Sequence, residues 1–329
     1  METDQAISIS DDWALPILDW VQDLIQCDSA SILDYTALRG ESLDGCLVKI
    51  ETSYGVFYFK GVGERHSHEP RITVELARRY PAHLPEIVGF DSERRWILMK
   101  DVGGTSLNDV SDISIWEGAM RSFAQIQIYY TDRQDSLLRL GCCDWRMNEL
   151  SDKIDPFFAQ VSSFNARDSK EIIAFQREDT LSLTSKLKEL CLALAAYEIP
   201  SSLVHGDFHL DNILVNDRNC VFIDWAAGYL GHPFFAIADF FGYIGYARPD
   251  LATYHDSLRA AYLNEWVKYT SITNLNAAFK ISRPLAMLRY AINVLEVNLK
   301  PRPDLDERLP DVYKYVGGLI KRVKRDVCD

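Results

Sequence analysis

The sequence predicts a two-lobed α+β protein, with a small N-terminal lobe built on an antiparallel sheet and a larger, mostly helical C-terminal lobe. Three observations predict this class. The 329 residues exceed one average domain, and an apolar content of 47% is ample for a sizeable core. Residues 36–60 alternate like the strands of a sheet, whereas the chain beyond Gly104 mostly carries apolar residues at helical spacing. We place the lobes at residues 1–100 and 101–329.

The N-terminal lobe is predicted to begin with a helix and to continue as a sheet. Asp11–Cys27 carries apolar residues near helical spacing, which predicts an amphipathic helix that packs on a lobe. Leu47–Ile50 and Val56–Lys60 are β-rich runs on either side of a Ser-Tyr-Gly turn, so they predict a strand pair. His68–Pro81 then predicts one helix, and Arg95–Gly104 predicts a strand that runs into a Gly-Gly break.

The C-terminal lobe is predicted to be mostly helical. Trp116–Tyr130 carries apolar residues at helical spacing, and residues 145–197 continue that pattern. Residues 251–299 are predicted to hold two or three further helices rich in Tyr, Leu and Ala. These segments would surround the one stretch of this lobe that has strand character.

That stretch, Leu203–Trp225, is organised around a hairpin. Apolar runs at Ile213–Val215 and Val221–Ile223 flank an Asn/Asp-rich turn, which predicts two short antiparallel strands. Strand ends that a rigid hairpin supports are good places to fix catalytic side chains. Six polar residues cluster at the ends of these runs: His205, Asp207, His209, Asp211, Asn212 and Asp224.

The spacing of these residues predicts phosphoryl-transfer chemistry. His205, Asp207 and Asn212 match the pattern H-x-D-x-x-x-x-N of a kinase catalytic loop, and Asp224 falls where the metal-binding aspartate follows. Asp207 can accept the proton of an attacking hydroxyl group, so it is the predicted catalytic residue. Asn212 and Asp224 offer hard oxygen ligands that suit Mg²⁺ held together with phosphate oxygens. A polar hairpin with solvated acids explains any one of these residues but not their joint spacing.

The motifs resemble those of the aminoglycoside phosphotransferase-like family of small-molecule kinases. HGDFHLDNILV at residues 205–215 is followed by FIDW at residues 222–225, and then by Gly231-His232-Pro233 and Ala238-Asp239-Phe240. These pieces occur in the order and at the distances typical of that family. Gly206 replaces the arginine of the protein-kinase loop, which favours the small-molecule branch.

This resemblance implies a protein-kinase-like fold over about Leu38–Ile320. It also implies ATP as the phosphoryl donor, with GTP left open, and Mg²⁺ as the metal ion. Asp239, in an apolar helical segment, would brace the backbone of the catalytic loop. The role of a buried acid of this kind is to support the loop and not to take part in the chemistry.

The resemblance assigns nucleotide binding to the N-terminal lobe. Lys60 ends a strand and would contact the α and β phosphates, and a carboxylate of the following helix would pair with it. We prefer Glu69 for that carboxylate, because it shares the inward face of the predicted helix. Glu75 is the alternative.

Two further segments would contact the nucleotide. Backbone groups of the strand that leads out of the first lobe would bind the adenine edge, with Met99, Lys100 and Val102 as contact residues. Arg39–Gly45 lies where a phosphate-covering loop is expected, with Ser42 as a candidate donor. This loop has two glycines but lacks the G-x-G-x-x-G pattern, which is its main departure from protein kinases.

The predicted reaction is transfer of the γ-phosphoryl group of ATP to a hydroxyl group of a small molecule. In the resembled family, helices such as those between Gly104 and Leu203 build the site for the acceptor. Trp145, Arg146 and Glu149 are candidates to face that site, although a tryptophan in a helical region is more often part of the core. The sequence does not predict which acceptor is used.

Two other classes of function stay open. The first is a metal-dependent hydrolase, because an alternating H-x-D-x-H-x-D run resembles a set of zinc or iron ligands: His205, Asp207, His209 and Asp211. That class does not explain Asn212. The second is a nucleotide-binding pseudokinase that acts as a scaffold, which the irregular Arg39–Gly45 loop would allow. All four expected catalytic positions are filled, which argues against it.

Composition argues against several kinds of partner. The net charge of −13 is not offset by a basic stripe, so a nucleic-acid partner is not expected. Seven scattered cysteines without C-x-x-C spacing indicate reduced thiols. No signal peptide is apparent at the start of the sequence, and no apolar run approaches the length of a membrane span. We therefore predict a cytoplasmic protein without a membrane partner, and its oligomeric state is not predicted.

Overall fold

The chain divides into two compact units in the computed structural model, which describes residues 13–25, 30–40, 45–163, 177–299 and 305–328. The first unit combines Met1–Ser122 with Arg139–Cys142 and Leu210–Gly228. The second unit combines Phe123–Leu138, Cys143–His209 and Tyr229–Asp329. Each unit therefore draws on several stretches of chain, and the lobe boundary at residue 100 stays a prediction.

The first unit contains a five-stranded antiparallel sheet in the order β1-β2-β3-β5-β4. The predicted β2–β3 turn is present. Thr52 ties it, because its hydroxyl donates to the Gly55 carbonyl (2.8 Å) and accepts from the Tyr54 amide (3.1 Å). The strands are β1 (Ile32–Arg39), β2 (Gly45–Thr52), β3 (Gly55–Val62), β4 (Ile87–Asp91) and β5 (Trp96–Lys100).

Helix α1 (Leu15–Ile25) contributes to the core of this sheet. Its buried residues Ile17, Val21 and Ile25 recur every four positions and so share one face. Trp20 packs edge to face against Phe59 of β3, with ring centroids 5.9 Å apart. The helix predicted over Asp11–Cys27 is thus present, and residues 11, 12, 26 and 27 lie outside the described residues.

A second helix and a second sheet complete the first unit. Helix α2 (Glu69–Arg79) is the predicted helix after β3. β6 (Thr105–Ser106), β9 (Ile213–Asn216) and β10 (Asn219–Phe222) form a three-stranded sheet in the order β10-β9-β6. β9 and β10 are the predicted hairpin, with Phe222 opposite Ile213. This register brings the residue before β9 and the residues after β10 to the same end of the hairpin.

The second unit has its own small sheet, in the order β7-β11-β8. Its strands are β7 (Cys143–Trp145), β8 (Ser202–Val204) and β11 (Tyr229–Gly231), with β11 parallel to β7 and antiparallel to β8. The expectation that Trp145 lies in a helical region is wrong, because pairing with β11 makes it a strand residue. It is buried, as a core tryptophan should be.

Helices form the rest of the second unit. The helix α3 (Ile113–Tyr130) enters it from residue 123 onwards. No helix in the described part of the chain combines the length and the apolar character that a membrane crossing requires. The predicted α+β class, with a small antiparallel sheet and a mostly helical remainder, is confirmed. The further helices are α4 (Gln134–Leu140), α5 (Met147–Ser163), α6 (Arg177–Ala195), α7 (Phe234–Ala247), α8 (His255–Leu263), α9 (Ile272–Asn298) and α10 (Leu305–Cys328).

A buried glutamine connects the elements of the second unit. The side-chain amide of Gln127 on α3 donates to the Leu203 carbonyl of β8 (2.9 Å) and to the Pro233 carbonyl (3.1 Å). Its oxygen accepts a hydrogen bond from the Tyr262 hydroxyl on α8 (2.5 Å). Buried polar groups need such partners, so one side chain holds four segments in register.

Candidate active site

A buried lysine lies at the centre of the polar cluster in the first unit. Lys60 on β3 is only 7% exposed. Its Nζ donates to Oε1 of Glu69 (2.5 Å) and to Oδ1 of Asp224 (2.8 Å). The structure thus joins three of the predicted site residues, and it pairs Lys60 with Glu69, the preferred partner. The alternative, Glu75, lies half-buried further along α2.

The two carboxylates keep Lys60 charged. Burial alone would lower its pKa, because a cation loses solvation in the interior. The negative charges of Glu69 and Asp224, together with their hydrogen bonds, outweigh that effect and raise the pKa of Lys60 above its ordinary value. A permanent positive charge is therefore held inside the first unit.

The hairpin places the two predicted metal ligands at one of its ends. Asn212 precedes β9 and Asp224 follows β10. The amide of Ile223 donates to the Asn212 carbonyl (3.0 Å), which extends the hairpin pairing by one step beyond Phe222. Asp224 has a left-handed backbone, with φ of 59°, at the start of a tight turn. This conformation is uncommon for a residue other than glycine and is typical of functional sites.

The chemistry of Asn212 and Asp224 fits Mg²⁺. An amide oxygen and a carboxylate are hard ligands, and Mg²⁺ usually takes one or two protein ligands and completes its shell with phosphates and water. The carboxylate of Asp224 is 42% exposed, so a ligand can approach it. The predicted metal role of both residues stays a prediction.

Two histidines that the sequence analysis did not single out, His66 and His68, precede α2, and His66 contacts the turn after Asp224. Nδ1 of His66 lies 2.8 Å from the Ala226 carbonyl, and since a carbonyl only accepts, Nδ1 carries the proton. His68 is buried next to Glu69, and burial lowers its pKa to about 4. The H-x-H-E sequence at residues 66–69 could have drawn attention to these histidines, but their position beside the site is visible only from the tertiary contact.

The catalytic loop itself begins in the second unit, where Asp207 is 56% exposed. Gly206 before it has φ of 77°, a left-handed conformation that glycine adopts without strain. Nε2 of His209 lies 3.4 Å from Oδ2 of Asp207. The loop thus presents the Asp207 carboxylate outwards, as a proton acceptor requires.

Phe208, which the sequence analysis did not single out, anchors this loop. It is buried and stacks on Phe123 of α3, with ring centroids 4.0 Å apart. It also contacts Phe240 of α7 at 5.5 Å. Phe208 is thus packed inside while its neighbour Asp207 faces solvent.

The role of Asp239 in bracing the backbone of the catalytic loop stays a prediction. Burial raises the pKa of Asp239 to about 7, the charge of Arg289 on α9 lowers it, and the charge of Asp207 raises it. Asp239 is therefore coupled to the loop through its charge.

The predicted nucleotide contacts on the first unit are only partly accessible. The Lys100 amide donates to the Glu86 carbonyl (2.9 Å), and the Val102 carbonyl accepts from Nδ2 of Asn216 (2.5 Å). Met99 lies in β5 between two neighbouring strands. The role of Met99, Lys100 and Val102 stays a prediction, and Ser42 lies outside the described residues.

The alternating His and Asp residues do not form a hydrolase centre. In the described part of the chain, no three His, Cys, Asp or Glu side chains come together as metal ligands. His205 is fully buried instead. The structure gives no support to the metal-dependent hydrolase.

Comparison with solved structures identifies the fold. The ethanolamine kinase of Plasmodium vivax is 15% identical, with a TM-score of 0.61 over 97% of this chain and 93% of that one. The choline kinase LicA of Streptococcus pneumoniae is 13% identical, with a TM-score of 0.57 over 92% and 99%, and a complex of LicA with AMP is also known. The macrolide 2'-phosphotransferase MphH of Brachybacterium faecium is 14% identical, with a TM-score of 0.56 over 91% and 98%. A search of curated proteins found no match.

The fold and the lysine–carboxylate site together define a phosphotransferase of the kinase type. A model of the phosphotransferase enzyme family (APH) matches residues 67–271, and the chain belongs to that family. The predicted resemblance, the protein-kinase-like fold and the assignment as a phosphotransferase are thereby confirmed. Nothing in the comparisons supports a hydrolase or a scaffold.

Proposed function

We propose that the protein transfers the γ-phosphoryl group of Mg-ATP to a hydroxyl group of a small molecule. One observation carries the proposal: Lys60 is buried between Glu69 and Asp224. A lysine held this way supplies a fixed positive charge for the α and β phosphates, and positioning with charge neutralisation is most of what phosphoryl transfer requires. The complex of LicA with AMP supports adenine over guanine as the base.

Asn212 and Asp224 would hold the metal ion. When bound, Mg²⁺ would neutralise phosphate charge. The protein's own contribution is the rigid hairpin, which fixes an amide oxygen and a carboxylate at one end. Lys60, bound to the same carboxylate, limits its motion.

Asp207 would act on the acceptor. Its exposed carboxylate can accept the hydrogen bond of a substrate hydroxyl, orient that hydroxyl for attack and take up its proton as the new bond forms. His209 at 3.4 Å would hold the carboxylate in place. The cytoplasmic location and the absence of a nucleic-acid partner remain part of this proposal, supported by the net charge of −13 and the scattered cysteines.

The test is an ADP-release assay coupled with measurement of Mg-ATP binding by calorimetry. Asp207→Ala should lower acceptor-stimulated turnover by roughly 10²- to 10⁴-fold, the usual worth of a catalytic base, without weakening Mg-ATP binding. Asp211→Asn is the matched control in the same loop, because only the hydrolase class gives Asp211 a role. Asp207→Ala turnover at the wild-type rate would show that the assignment is wrong.

Lys60→Met tests the nucleotide side of the proposal. Removal of the buried cation should abolish Mg-ATP binding, because the phosphates lose their fixed partner and face two uncompensated carboxylates. Lys49→Met, on the neighbouring strand β2, removes a half-buried lysine that pairs with Glu51 instead of Glu69 and Asp224, and it should bind Mg-ATP normally. Equal binding by both variants would contradict the role of Lys60.

A further inference from the structure

Arg289 on α9 is a buried cation outside the machinery described above. Only 4% of the residue is exposed, and its Nε is fully enclosed without a hydrogen-bond partner. The guanidinium lies over the ring of Tyr229 at 3.7 Å and 5.3 Å from the ring of Trp145. It makes no hydrogen bond or ion pair with any residue in the described part of the chain. Aromatic faces are thus the neighbours that fix its position.

Burial of the Arg289 guanidinium is energetically unfavourable in the absence of a ligand. A guanidinium cannot give up its proton, so burial leaves a charge that must be compensated. Each unsatisfied buried donor also costs free energy, and native proteins keep few of them. A buried arginine that is stacked in place, yet has no partner for its donors, is prepared for a partner that arrives from solution.

Arg289 belongs to the acceptor side of the site. Its guanidinium lies over the ring of Tyr229, which pairs across β11 and β8 with Val204, three residues before Asp207. Besides burial, the charges of Arg289 and Asp207 both act on the pKa of Asp239. Burial, the neighbouring Tyr315 and, to a smaller extent, the charges of Asp207 and Asp239 raise the pKa of Tyr290, which is next to Arg289. Asp239 and Tyr290 are half-buried, so this group of residues borders solvent. A molecule whose hydroxyl group reaches Asp207 can therefore present a second group to Arg289.

We propose that Arg289 binds a carboxylate of the acceptor, so that the substrate is a small alcohol that also carries a carboxylate group. This inference rests on the proposed kinase function. The planar guanidinium matches a carboxylate through two parallel hydrogen bonds, which gives both affinity and orientation. A doubly charged phosphate would meet stronger repulsion from Asp207 and Asp239, which favours the singly charged carboxylate.

The first experiment measures kcat/KM for pairs of alcohols that differ only in the carboxylate. Ethanolamine and L-serine form one pair, 3-aminopropan-1-ol and L-homoserine a second, and ethane-1,2-diol and D-glycerate a third. The wild-type enzyme should prefer the carboxylate-bearing member of at least one pair by about 10- to 100-fold, the worth of a charge-assisted hydrogen bond.

The second experiment repeats the best pair with Arg289→Met. The preference should disappear, because kcat/KM falls for the carboxylate-bearing alcohol and stays the same for its partner. Arg283→Met removes an exposed arginine from the same helix and should keep the preference. Arg289→Lys keeps the charge but loses the planar fork, so it should retain part of the preference even if the methionine variant fails to fold.

Three outcomes would overturn the inference: phosphorylation of no carboxylate-bearing alcohol, a preference for the carboxylate-free members, or an equal loss for both members in Arg289→Met. The last result would make Arg289 a purely structural residue. If Asp207-dependent phosphorylation were found for carboxylate-free alcohols alone, this inference would be overturned and the proposed kinase function would stay intact. Absence of Mg-ATP binding in the wild-type protein would instead contradict the proposed function.

Discussion

Lys60 matters both for the stability of the first unit and for the proposed binding of Mg-ATP. Burying a lysine is unfavourable unless its charge is compensated, and here Glu69 and Asp224 both compensate it. Removing one member of a buried ion pair typically costs about 3–5 kcal/mol, because the partner is left charged in the interior. The residues that would bind Mg-ATP are therefore also needed by the fold of the first unit.

Asp239 gives the second unit a titration near neutral pH. Burial raises its pKa to about 7, against the partial compensation by Arg289. Because this pKa lies above the ordinary value, folding favours the protonated carboxyl group. Its contribution to stability is complete at acidic pH and is lost as the pH rises towards about 7.

We expect Asp239→Asn to become more stable relative to the wild type as the pH rises from about 5 to about 8. The neutral amide has nearly the same shape and does not ionise, so the difference isolates the titration of Asp239. Urea unfolding of both proteins across this range measures it, and other groups, such as His68, cancel in the difference. A pH-independent difference would contradict the raised pKa.

At the scale of elements, the conformation of the catalytic loop depends on the glycine and the phenylalanine that flank Asp207. Gly206 supplies the left-handed backbone, and Phe208 is buried between α3 and α7. Together they turn the intervening Asp207 outwards. The loop is thus fixed by backbone conformation on one side and by packing on the other.

Gly206→Ala should reduce turnover more strongly than stability. A left-handed alanine costs about 1–2 kcal/mol, and any relaxation towards negative φ would move the Asp207 carboxylate. Gly242→Ala on α7 is the control, since a Cβ there meets nothing within 4 Å and alanine favours the helix. Steady-state kinetics and urea unfolding of both variants separate the two effects. Full activity of Gly206→Ala would show that the loop does not need this conformation.

The local sequence pattern predicted the helices and strands better than it predicted the contacts between them. The hairpin at Ile213–Phe222 could be predicted because alternation and turn residues are adjacent in sequence. Glu69 could be chosen as the partner of Lys60 from the inward face of one helix. The position of Arg289 could not be predicted. Its neighbours Tyr229 and Trp145 lie on strands that are far from it and from each other in sequence, and no local sequence pattern indicated that these strands pair.

At the scale of the whole molecule, the chain crosses between its two units within the catalytic loop. His209 ends one segment of the second unit, and Leu210 begins a segment of the first. Asp207 therefore belongs to the helical unit, whereas Asn212 and Asp224 belong to the sheet unit that contains Lys60. Because the nucleotide-binding residues and the acceptor-side residues belong to different units, mutations can affect them separately.

Gln127→Leu should show this separation. Leucine has a similar size but leaves the Leu203 carbonyl without its amide donor and the Tyr262 hydroxyl without its acceptor, which should destabilise the second unit by about 2–4 kcal/mol. Gln125→Leu lies two residues away on the exposed side of α3, and it should change stability by less than about 0.5 kcal/mol. Urea unfolding measures both changes, and calorimetry at low urea should find Mg-ATP affinity unaltered, because Lys60, Asn212 and Asp224 belong to the first unit. A loss of Mg-ATP affinity equal to the loss of stability would show instead that the two units fold and bind as one.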